Sequence, residues 1–549
     1  MLLTIGDPLE ANARWKPDAP ALIEGERVLG WKQVLERVAR IRQAFVDVGI
    51  EHGDRVAVLD RTSADYVCAG YALAGLGAII VPISVLLRSE EVAFILRDCE
   101  PRYVIVGQQY IDLLSASYAR LPSIPGLTIS RENAAAGAGD GPAAAGDWET
   151  WEKFIVRDPG RDGPVPRSWD DPHMILYTSG TTGQPKGAVL SHRRTATDAV
   201  AAIGAFRVAR KDRFLCYQPM WHTAAWAYIQ QYFTVGGSVV LMERFDGDEA
   251  LRLLARWRCT SILAQPVILN RMWASAAFAE VDLSALGLVV YNSYDPANVG
   301  DLIASIREKF AARGARQLRL AGPYGLTEAG PFVTLLRSED VAVAPESVGT
   351  PVPGVSVAIL GDSGELVPPG HVGEICVRGS AIMNGYWRND AASREALRGG
   401  WLHTGDLGRV GHNGFLYFVD RKKDMVRTGG ENVYSKEVET LLNSHPAIAE
   451  SAIVGAPDAE YGERVVAFVV TTSPGSLTKE AIQAYVRESL AGFKAPKEVH
   501  FLPELPKNGE GKINKGELRV QCGTQLSSRR CAPLTASARG HLARFIRST

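Results

Sequence analysis

The sequence predicts an α/β protein with two parts. A large N-terminal domain contains parallel α/β subdomains plus a small β-rich subdomain, and a small α+β C-terminal domain follows it. Short β-branched runs such as Arg55–Leu59 and Leu288–Tyr291 alternate with amphipathic stretches such as Trp31–Gly49, which is typical of parallel sheets flanked by helices. After Pro351 short strand patterns are separated by turns, and after about Glu437 strand and helix patterns alternate compactly.

The predicted elements follow one another along the chain. In the large domain they are Trp31–Gly49 (helix), Arg55–Leu59 (strand), Ala64–Leu76 (helix), Ala78–Val81, Tyr103–Val106, Met174–Leu176 and Ser238–Leu241 (strands), Glu249–Trp257 (helix), Ser261–Ala264 and Leu288–Tyr291 (strands), and Val299–Arg313 (helix). The β-rich subdomain contains Ser356–Leu360, Gly373–Val377 and Gly414–Val419. The C-terminal unit contains Glu437–Ser444, Ile448–Val454, Arg464–Thr471, Lys479–Leu490 and Glu498–Leu502. From about Val520 to Thr549 the chain is rich in Ser, Arg and Ala, with little periodicity, which predicts a disordered tail.

Composition excludes several classes of function. A length of 549 residues exceeds the usual ~100–200 residues of one domain, which implies more than one domain. The formal net charge of −1 favours neither nucleic acid nor an anionic membrane as a partner. The seven cysteines form no C-x-x-C pair, which indicates reduced thiols in the cytoplasm and argues against structural zinc. The apolar start, Met1–Ile5, lacks a basic n-region, so we expect no export signal and a cytoplasmic protein.

One uncharged segment requires a choice between a membrane span and a buried core. Val67–Leu87 carries no charge over 21 residues, which is long enough to cross a bilayer. The segment contains three glycines and Pro82, and buried strands of α/β proteins are near-continuous apolar runs. We therefore predict a buried helix over Ala64–Leu76 and a short parallel strand over Ala78–Val81, with no membrane span.

The segment Tyr177–Gly187 carries the densest chemical signal. It contains four short hydroxyl side chains, three glycines and a lysine: Thr178, Ser179, Thr181, Thr182, Gly180, Gly183, Gly187 and Lys186. Glycines let backbone N–H groups approach a ligand closely, and the hydroxyls and the lysine add donors and charge. The loop follows an apolar strand, the place where open α/β sheets bind ligands. It predicts a phosphate-binding loop, although it does not fit the Walker A pattern; the alternative is a flexible surface turn.

Four further segments are weak signals when each is taken alone. Thr327 and Glu328 would suit a phosphate contact and a magnesium ligand, but an exposed turn glutamate is the commoner alternative. Asp406 could accept hydrogen bonds from ribose hydroxyls. The charged segment Val419–Tyr434 could be a solvated linker, and Pro506–Lys515 could be a polar turn.

In their order and spacing, these segments resemble the acyl-adenylating superfamily, which includes acyl-CoA synthetases, adenylation domains of peptide synthetases and beetle luciferases. The resemblance extends to about Leu518. The matching motifs are the phosphate loop Thr178–Gly187, Tyr324–Glu328, Thr404–Asp406, the hinge residues Asp420, Arg421, Lys423 and Asp424, and the loop with Lys507, Gly511 and Lys512. The resemblance implies a domain over residues 1–422, a hinge near Lys423 and a mobile domain over residues 424–519. The tail predicted from composition covers residues 520–549.

The resemblance also implies the chemistry and the residues that perform it. A carboxylate would attack the α-phosphorus of Mg·ATP, and a thiol, that of coenzyme A, would then attack the acyl-adenylate. The implied catalytic residues are Lys512, Glu328, Thr327 and His222, with Glu328 as the metal ligand. The implied ATP and AMP contacts are Thr178, Ser179, Gly180, Thr181, Thr182, Gly183, Lys186, Tyr324, Gly325, Asp406 and Arg421. The implied CoA contacts are Gly429, Gly430 and Glu431, which would replace Lys512 at the site after a rotation about Lys423.

One departure from the family pattern concerns the acid substrate. Where relatives usually have Ser/Thr-Gly-Gly-Ala-Pro, this chain has Asn292–Pro296, which places Ser293, Tyr294 and Asp295 at the implied acyl pocket. The tyrosine would narrow or reshape that pocket. Asp295 could pair with a polar or cationic group of the substrate, although the sequence favours solvent exposure because a buried unpaired carboxylate is costly. Trp221 and His222 match the family's gate over the acyl channel.

We therefore expect an AMP-forming acid–thiol ligase that uses ATP, Mg²⁺ and coenzyme A on a fatty or other apolar carboxylic acid. The alternative acceptor is the phosphopantetheine of a separate acyl carrier protein. A non-catalytic acyl-nucleotide-binding relative is disfavoured by Lys512, Glu328 and Asp406 together. A luciferase-like oxygenase shares the motifs and would be revealed by light or oxygen consumption. The sequence leaves the oligomeric state open, and a dimer is compatible with it.

Overall fold

The computed structural model describes residues 4–123, 128–131, 148–156, 168–178, 185–291, 299–458, 460–507 and 512–529, with residues 128–131, 148 and 523–529 described by their backbone. The chain divides into two compact units, Met1–Val419 and Asp420–Thr549. They are called here the large unit and the small unit, and each is described by itself.

Helices occur in both units. In chain order they are α1 (Asp7–Trp15), α2 (Trp31–Asp47), α3 (Ala64–Gly75), α4 (Ser89–Cys99), α5 (Ile111–Tyr118), α6 (Trp151–Ile155), α7 (His192–Phe206), α8 (Thr223–Val235), α9 (Gly247–Arg256), α10 (Pro266–Ala274), α11 (Val299–Ala311), α12 (Asp390–Ala396), α13 (Ser435–Asn443), α14 (Lys479–Ser489) and α15 (Lys515–Arg529). Local sequence explains several starts: Ser63 caps α3 by accepting from Tyr66 N–H, and Asp246 caps α9 by accepting from Glu249 N–H, which satisfies donors that the helix itself cannot.

The strands are shorter and more numerous. In chain order they are β1 (Pro20–Glu24), β2 (Arg27–Gly30), β3 (Arg55–Leu59), β4 (Ile79–Pro82), β5 (Tyr103–Gly107), β6 (Thr128–Arg131), β7 (Trp148–Thr150), β8 (Pro172–Thr178), β9 (Lys186–Ser191), β10 (Arg213–Cys216), β11 (Ser238–Leu241), β12 (Ser261–Leu263), β13 (Leu288–Val290), β14 (Arg319–Leu326), β15 (Gly330–Arg337), β16 (Thr350–Pro351), β17 (Val355–Leu360), β18 (Gly373–Gly379), β19 (Gly385–Tyr386), β20 (Leu402–Val410), β21 (Leu416–Arg421), β22 (Val426–Thr428), β23 (Glu431–Val433), β24 (Ile448–Asp458), β25 (Gly462–Thr471) and β26 (Glu498–Phe501).

Two large sheets form the framework of the large unit. The first has the order β16-β15-β14-β13-β12-β10-β11-β1-β2 among the described residues, and it is parallel from β14 to β1. The second has the order β19-β9-β8-β4-β3-β5-β6-β7 and is parallel from β8 to β7. Strands such as β4 and β5 are buried along their whole length, because helices cover parallel sheets on both faces. The carboxyl ends of β8 and β14 carry the candidate site.

A smaller sheet follows in the order β17-β18-β20-β21, and its first three strands pair antiparallel. The small unit has its own sheet, in which β24 and β25 form a long antiparallel pair and β26 lies parallel to β25. Helices α13 and α14 pack on this sheet around the buried side chains of Val438, Leu442 and Ile482.

The uncharged segment Val67–Leu87 folds into a helix and a strand. Helix α3 is buried along nearly all its length, from Ala64 to Ala74, and β4 follows it in the core of the second sheet. Within the described ranges, no helix is both long and apolar enough to cross a membrane. The segment therefore contains a buried helix and a buried strand, as predicted.

The predicted tail begins too early. Helix α15 continues to Arg529, and Leu518 and Cys522, one helical turn apart, are 0% and 2% exposed. They pack with Phe468 and Leu505 in a second core of the small unit. The boundary predicted at Val520 therefore lies inside a packed helix, and residues 530–549 lie outside the described part of the chain.

Candidate active site

The predicted phosphate loop connects two strands of one antiparallel pair. β8 ends at Thr178 and β9 begins at Lys186, and these two residues are partners in the register. The two ends of the loop are therefore adjacent at the carboxyl end of β8, an edge where α/β sheets bind ligands. Gly187 packs so closely on Ile175 that a Cβ would lie 2.7 Å from the isoleucine side chain. The residues between the ends, Ser179, Gly180, Thr181, Thr182 and Gly183, lie outside the described residues.

Glu328 lies beside this loop, in the turn after β14. Its Oε1 accepts hydrogen bonds from Thr178 Oγ1 at 3.1 Å and from the Tyr386 hydroxyl at 3.0 Å. Lys186 Nζ lies 5.3 Å from the centre of the Tyr386 ring, within range of a cation–π interaction. Thr178 and Lys186, from the phosphate loop, and Glu328, from a second motif, thus meet beside Tyr386, which the sequence did not indicate.

The donor set around Glu328 fits a magnesium ion. Thr178 and Tyr386 place two neutral hydroxyl groups beside the Glu328 carboxylate, so oxygen atoms of three side chains lie together here. Burial, and then the neighbouring carboxylate, raise the pKa of Tyr386, so the phenol remains a proton donor at neutral pH. A half-buried carboxylate next to a phosphate loop is the type of ligand that Mg²⁺ takes together with phosphate oxygens.

A buried arginine ties Thr327 to the start of α8. Arg194, on α7, is 2% exposed, and its Nη2 donates to Thr327 O at 3.0 Å and to Thr223 Oγ1 at 3.3 Å. Burial lowers the pKa of Arg194 and raises the pKa of Asp198, one turn further along α7, to about 6. A Cβ at Gly330 would lie 2.7 Å from Asp198 Oδ1. The turn that carries Thr327 is therefore fixed on α7, a contact that no sequence signal predicted.

Two of the predicted nucleotide contacts, Tyr324 and Asp406, also meet. The Tyr324 hydroxyl donates to Asp406 Oδ2 at 2.8 Å, and Asp406 is 8% exposed. Gly325 lies against the backbone of Gly330 and Pro331, where a Cβ would lie 2.4 Å from a carbonyl carbon, so this position requires glycine. Residues 82 positions apart in the sequence thereby place a phenol and a carboxylate side by side.

The predicted acyl gate lies at the start of α8. His222 is the N-cap residue of α8, with extended backbone angles, and its N–H donates to Pro219 O at 3.0 Å. Trp221 precedes it and is partly buried. The other predicted acyl residues, Ser293, Tyr294 and Asp295, lie outside the described residues.

The predicted CoA residues form an exposed turn of the small unit. Gly429 and Gly430 connect β22 to β23 with φ angles of +60° and +85°, which side chains rarely adopt, and Glu431 begins β23. Gly429 N–H donates to Tyr461 O at 2.9 Å. Lys497 Nζ lies 3.0 Å above the Tyr461 ring, so an exposed aromatic residue and a cation flank the turn.

The predicted catalytic lysine also lies in the small unit. Lys512 is exposed, and the chain on either side closes through a bridge between Lys507 and Ile513. Gly511 lies outside the described residues. β21 ends at Arg421, and the carbonyl of Lys423, the predicted hinge, accepts a hydrogen bond from Arg519 of α15 at 3.0 Å. Asp420 is buried and accepts from Ser435 Oγ at 3.2 Å, which fixes the start of the unit.

Comparisons with known proteins fit this arrangement. The profile of the AMP-binding enzyme family matches residues 9–387, and that of the AMP-binding enzyme C-terminal domain matches residues 437–512. The chain is 33% identical over 514 residues to a feruloyl-CoA synthase of Amycolatopsis sp, covering 93% of this chain and 98% of the relative. It is 32% identical over 522 residues to the long-chain-fatty-acid–CoA ligase FadD13 of Mycobacterium tuberculosis, covering 94% and 98%.

Two further comparisons concern the acceptor and the metal. The fatty acid–[acyl-carrier-protein] ligase ScoC of Streptomyces coeruleorubidus is 32% identical over 530 residues, covering 94% of this chain and 96% of the relative. The structure of the o-succinylbenzoate coenzyme A synthetase of Bacillus subtilis with ATP and magnesium matches with a TM-score of 0.79 and 26% identity, covering 94% and 99%.

The fold and the matched domains define an adenylate-forming enzyme with a separate small C-terminal domain, which confirms the predicted fold class. The chain belongs to the AMP-binding enzyme family. It is an AMP-forming acid–thiol ligase that uses ATP, Mg²⁺ and coenzyme A.

Proposed function

We propose that the chain activates a fatty or other apolar carboxylic acid as its adenylate, with release of pyrophosphate, and then transfers the acyl group to coenzyme A, with release of AMP. The observation that carries this proposal is the meeting of Thr178, Lys186 and Glu328 around Tyr386. A lysine and a carboxylate at the two sides of one phosphate loop suit a nucleoside triphosphate with its metal ion, because phosphoryl chemistry depends mainly on positioning and charge stabilisation.

Each part of the nucleotide has a proposed contact. The loop from Thr178 to Lys186 holds the β- and γ-phosphates, so pyrophosphate is the leaving group. Glu328 holds Mg²⁺, which when bound offsets phosphate charge, and Thr327 contacts the α-phosphate. Asp406, oriented by Tyr324, accepts from the ribose hydroxyls. In this role its low exposure matters, because a carboxylate excluded from water forms stronger hydrogen bonds to a ligand.

The apolar character of the acid fits the aromatic side chain of Trp221 at the predicted gate, directly before helix α8. The buried apolar and aromatic side chains of α8 itself pack in the core of the large unit. The names of the relatives, feruloyl-CoA synthase and long-chain-fatty-acid–CoA ligase, support the same class.

The small unit supplies a different residue set to each half-reaction. Lys512 bridges the carboxylate and the α-phosphate during adenylation. Gly429–Glu431 then admits the pantetheine arm, after rotation near Lys423. Coenzyme A is favoured as the acceptor because Tyr461 and Lys497 beside the turn offer an aromatic face and a cation for a nucleotide. The alternative acceptor, an acyl carrier protein, is supported by the similarity to ScoC.

A screen of acids tests this function. The protein is assayed for pyrophosphate release with a long-chain fatty acid, a hydroxycinnamic acid, an indole acid and a short dicarboxylic acid, each with CoA, with a phosphopantetheinylated carrier protein, or with neither. We expect the first three to exceed the dicarboxylic acid, with AMP and an acyl-CoA as products. Formation of ADP would contradict the mechanism, a preference for the dicarboxylic acid would contradict the substrate class, and acylation of the carrier protein alone would favour the alternative acceptor.

A further inference from the structure

Strand β20 is interrupted where it enters the candidate site. On β18, Glu374 and Cys376 are two positions apart, but their partners on β20, Leu407 and His403, are four positions apart. The extra residues lie in Thr404–Asp406, which therefore leaves the ladder as a bulge. Bulges re-aim side chains and are frequent beside active sites, and this one presents the Asp406 carboxylate to Tyr324.

Strand β18 holds the bulge with bonds that a regular ladder would not make. Thr404 Oγ1 donates to Ile375 O at 2.7 Å, and Asp406 N–H donates to Thr404 Oγ1 at 3.0 Å. Gly405, at φ +73°, donates its N–H to Glu374 Oε1 at 3.1 Å. The side chain of Glu374 thus satisfies the backbone donor directly before Asp406.

Glu374 is itself fixed from the other side. It is 7% exposed, and its Oε2 lies 3.1 Å from His403 Nδ1 and 3.4 Å from Arg398 Nη2. The His403 ring nitrogen also lies 3.4 Å from Cys376 Sγ. A carboxylate held by a guanidinium and an imidazole has little freedom to move, and buried charge-assisted hydrogen bonds are among the strongest.

The same side chains could be considered as metal ligands, because one ligand atom each of Glu374, Cys376 and His403 lies within 4.8 Å of the others. However, Oε1 of Glu374 already accepts from the bulge and Oε2 lies next to the cationic Arg398. The contacts of this carboxylate are therefore those of a structural anchor for the bulge.

We propose that Glu374 is a positioning residue for nucleotide binding: it holds the Thr404–Asp406 bulge so that Asp406 meets the ribose hydroxyls. The inference rests on the proposed contact between Asp406 and the ribose. Removal of the Glu374 carboxylate leaves the Gly405 N–H without its acceptor and allows the bulge to move. The loss then falls on recognition of the ribose hydroxyls, whereas the contacts of the triphosphate at Thr178 and Glu328 remain.

The test compares kcat/KM for ATP with kcat/KM for 2′-deoxy-ATP and 3′-deoxy-ATP, which lack one ribose hydroxyl each. Glu374→Ala should lower the preference for ATP by about tenfold, the effect of one hydrogen bond to a charged group, with a smaller fall in the rate on each deoxy-nucleotide, because each of them keeps one hydroxyl. Glu374→Gln keeps an oxygen acceptor at the same position and should restore most of the preference. Glu365→Ala removes an exposed glutamate of the same β-rich subdomain and should leave it unchanged.

Asp406→Ala tests the proposed ribose contact separately from the positioning role of Glu374. It should abolish the preference for ATP, and adding Glu374→Ala to it should lower the preference no further. If Asp406→Ala keeps the preference, the proposed ribose contact is wrong. If Asp406→Ala loses it but Glu374→Ala lowers the rates with all three nucleotides equally, Glu374 serves only general stability and our inference is overturned. If Glu374→Ala does not fold, Glu374→Asp, which retracts the carboxylate from Gly405, should show the same selective loss, and equal losses there overturn the inference too.

Discussion

Among the described residues, two pairs of candidate residues of the large unit contact one another, whereas Gly430 and Lys512 of the small unit lie at exposed positions. In the large unit, Glu328 accepts from Thr178 and Tyr386, and Asp406 accepts from Tyr324. In the small unit, Lys512 is exposed, and a Cβ at Gly430 would meet nothing within 4 Å.

The two units therefore differ in how far their candidate residues are fixed before a substrate binds. The large unit is preorganised, because side chains fixed by packing and hydrogen bonds hold their geometry before a substrate arrives. The small unit presents its candidate residues at exposed positions, which suits groups that act in only one half-reaction. Substitutions in the small unit should therefore change one half-reaction, and those in the large unit should change nucleotide binding in general.

The largest expected effect is a double dissociation within the small unit. Lys512→Ala should slow adenylation by on the order of 10²–10³, the range for losing one electrostatic stabiliser, and should spare thioester formation from supplied acyl-AMP and CoA. Gly430→Leu should do the reverse, because its side chain would occupy the path of the pantetheine arm. The two half-reactions are measured separately, by pyrophosphate exchange and by thioester release.

Matched controls exist in the same unit. Lys479 is an exposed lysine on α14, and Gly475 is a turn glycine at φ +74° with open space around its Cβ position. Lys479→Ala and Gly475→Leu should leave both half-reactions near the wild-type rates. Equal impairment of both half-reactions by Lys512→Ala and Gly430→Leu, in folded protein, would rule out the assignment of different residues to the two steps.

The next effect concerns the preorganised cluster. Glu328→Gln removes the charge but keeps the shape, and should lower kcat/KM by about 10². Partial recovery at high Mg²⁺ is expected because the lost carboxylate is the proposed ligand of the metal. The exposed Glu339 offers a control, since Glu339→Gln should leave the magnesium dependence unchanged. A Glu328→Gln enzyme with the wild-type rate at low Mg²⁺ would show that the carboxylate is not a ligand.

A third prediction concerns the stability of the large unit at acid pH. Burial lowers the pKa of His192 from 6.5 to about 4, so the unfolded chain binds a proton in this pH window and the folded chain does not. The free energy of unfolding is highest well above pH 6.5 and falls as the pH drops towards 4, by up to about 1.4 kcal/mol per pH unit for one proton. Between about pH 8 and about pH 5 this gives a loss of about 2 kcal/mol.

Urea unfolding at several pH values measures this loss. His192→Gln cannot take up the proton and should flatten the decrease, whereas His412→Gln, at an exposed turn, should leave it as in the wild type. The same slope in His192→Gln and in the wild type would mean that another group, for example the buried His173 with its lowered pKa, dominates the acid response.

Much of the framework could be predicted because its signals are local. Alternation of apolar runs and amphipathic stretches placed strands such as β3 and β11 at their observed positions, and the glycines and proline of Val67–Leu87 indicated a helix and a strand. The motifs likewise named Thr178 and Glu328, which the structure brings within hydrogen-bond distance.

The remaining features depend on residues that meet only in three dimensions. Tyr386 lies 58 positions from Glu328, and Arg194 lies 133 positions from Thr327, and no spacing rule links such pairs. The bulge at Thr404–Asp406 depends on how β20 pairs with β18. The only sign of the bulge in the sequence is its glycine, Gly405. The sequence did not indicate helix α15, because its buried residues Leu518 and Cys522 stand in a segment that is otherwise mostly polar.

The smallest expected effect tests this last helix. Cys522→Ala removes one buried heavy atom from the core around Phe468 and should lower the unfolding free energy of the small unit by about 1 kcal/mol, as for the loss of a methyl-sized group.

A chain that ends after Gln521 lacks Cys522 and the rest of α15, and its unfolding free energy should fall by at least as much. A chain that ends after Arg529 keeps the whole helix and should stay within about 0.5 kcal/mol of the full-length protein. Denaturant unfolding of the three variants measures this order, and because the small unit must stay folded to present Lys512, the adenylation rate should follow it. Equal stability of the chains that end after Gln521 and after Arg529 would mean that the helix contributes nothing beyond Leu518, and the tail would then begin where the sequence predicts it.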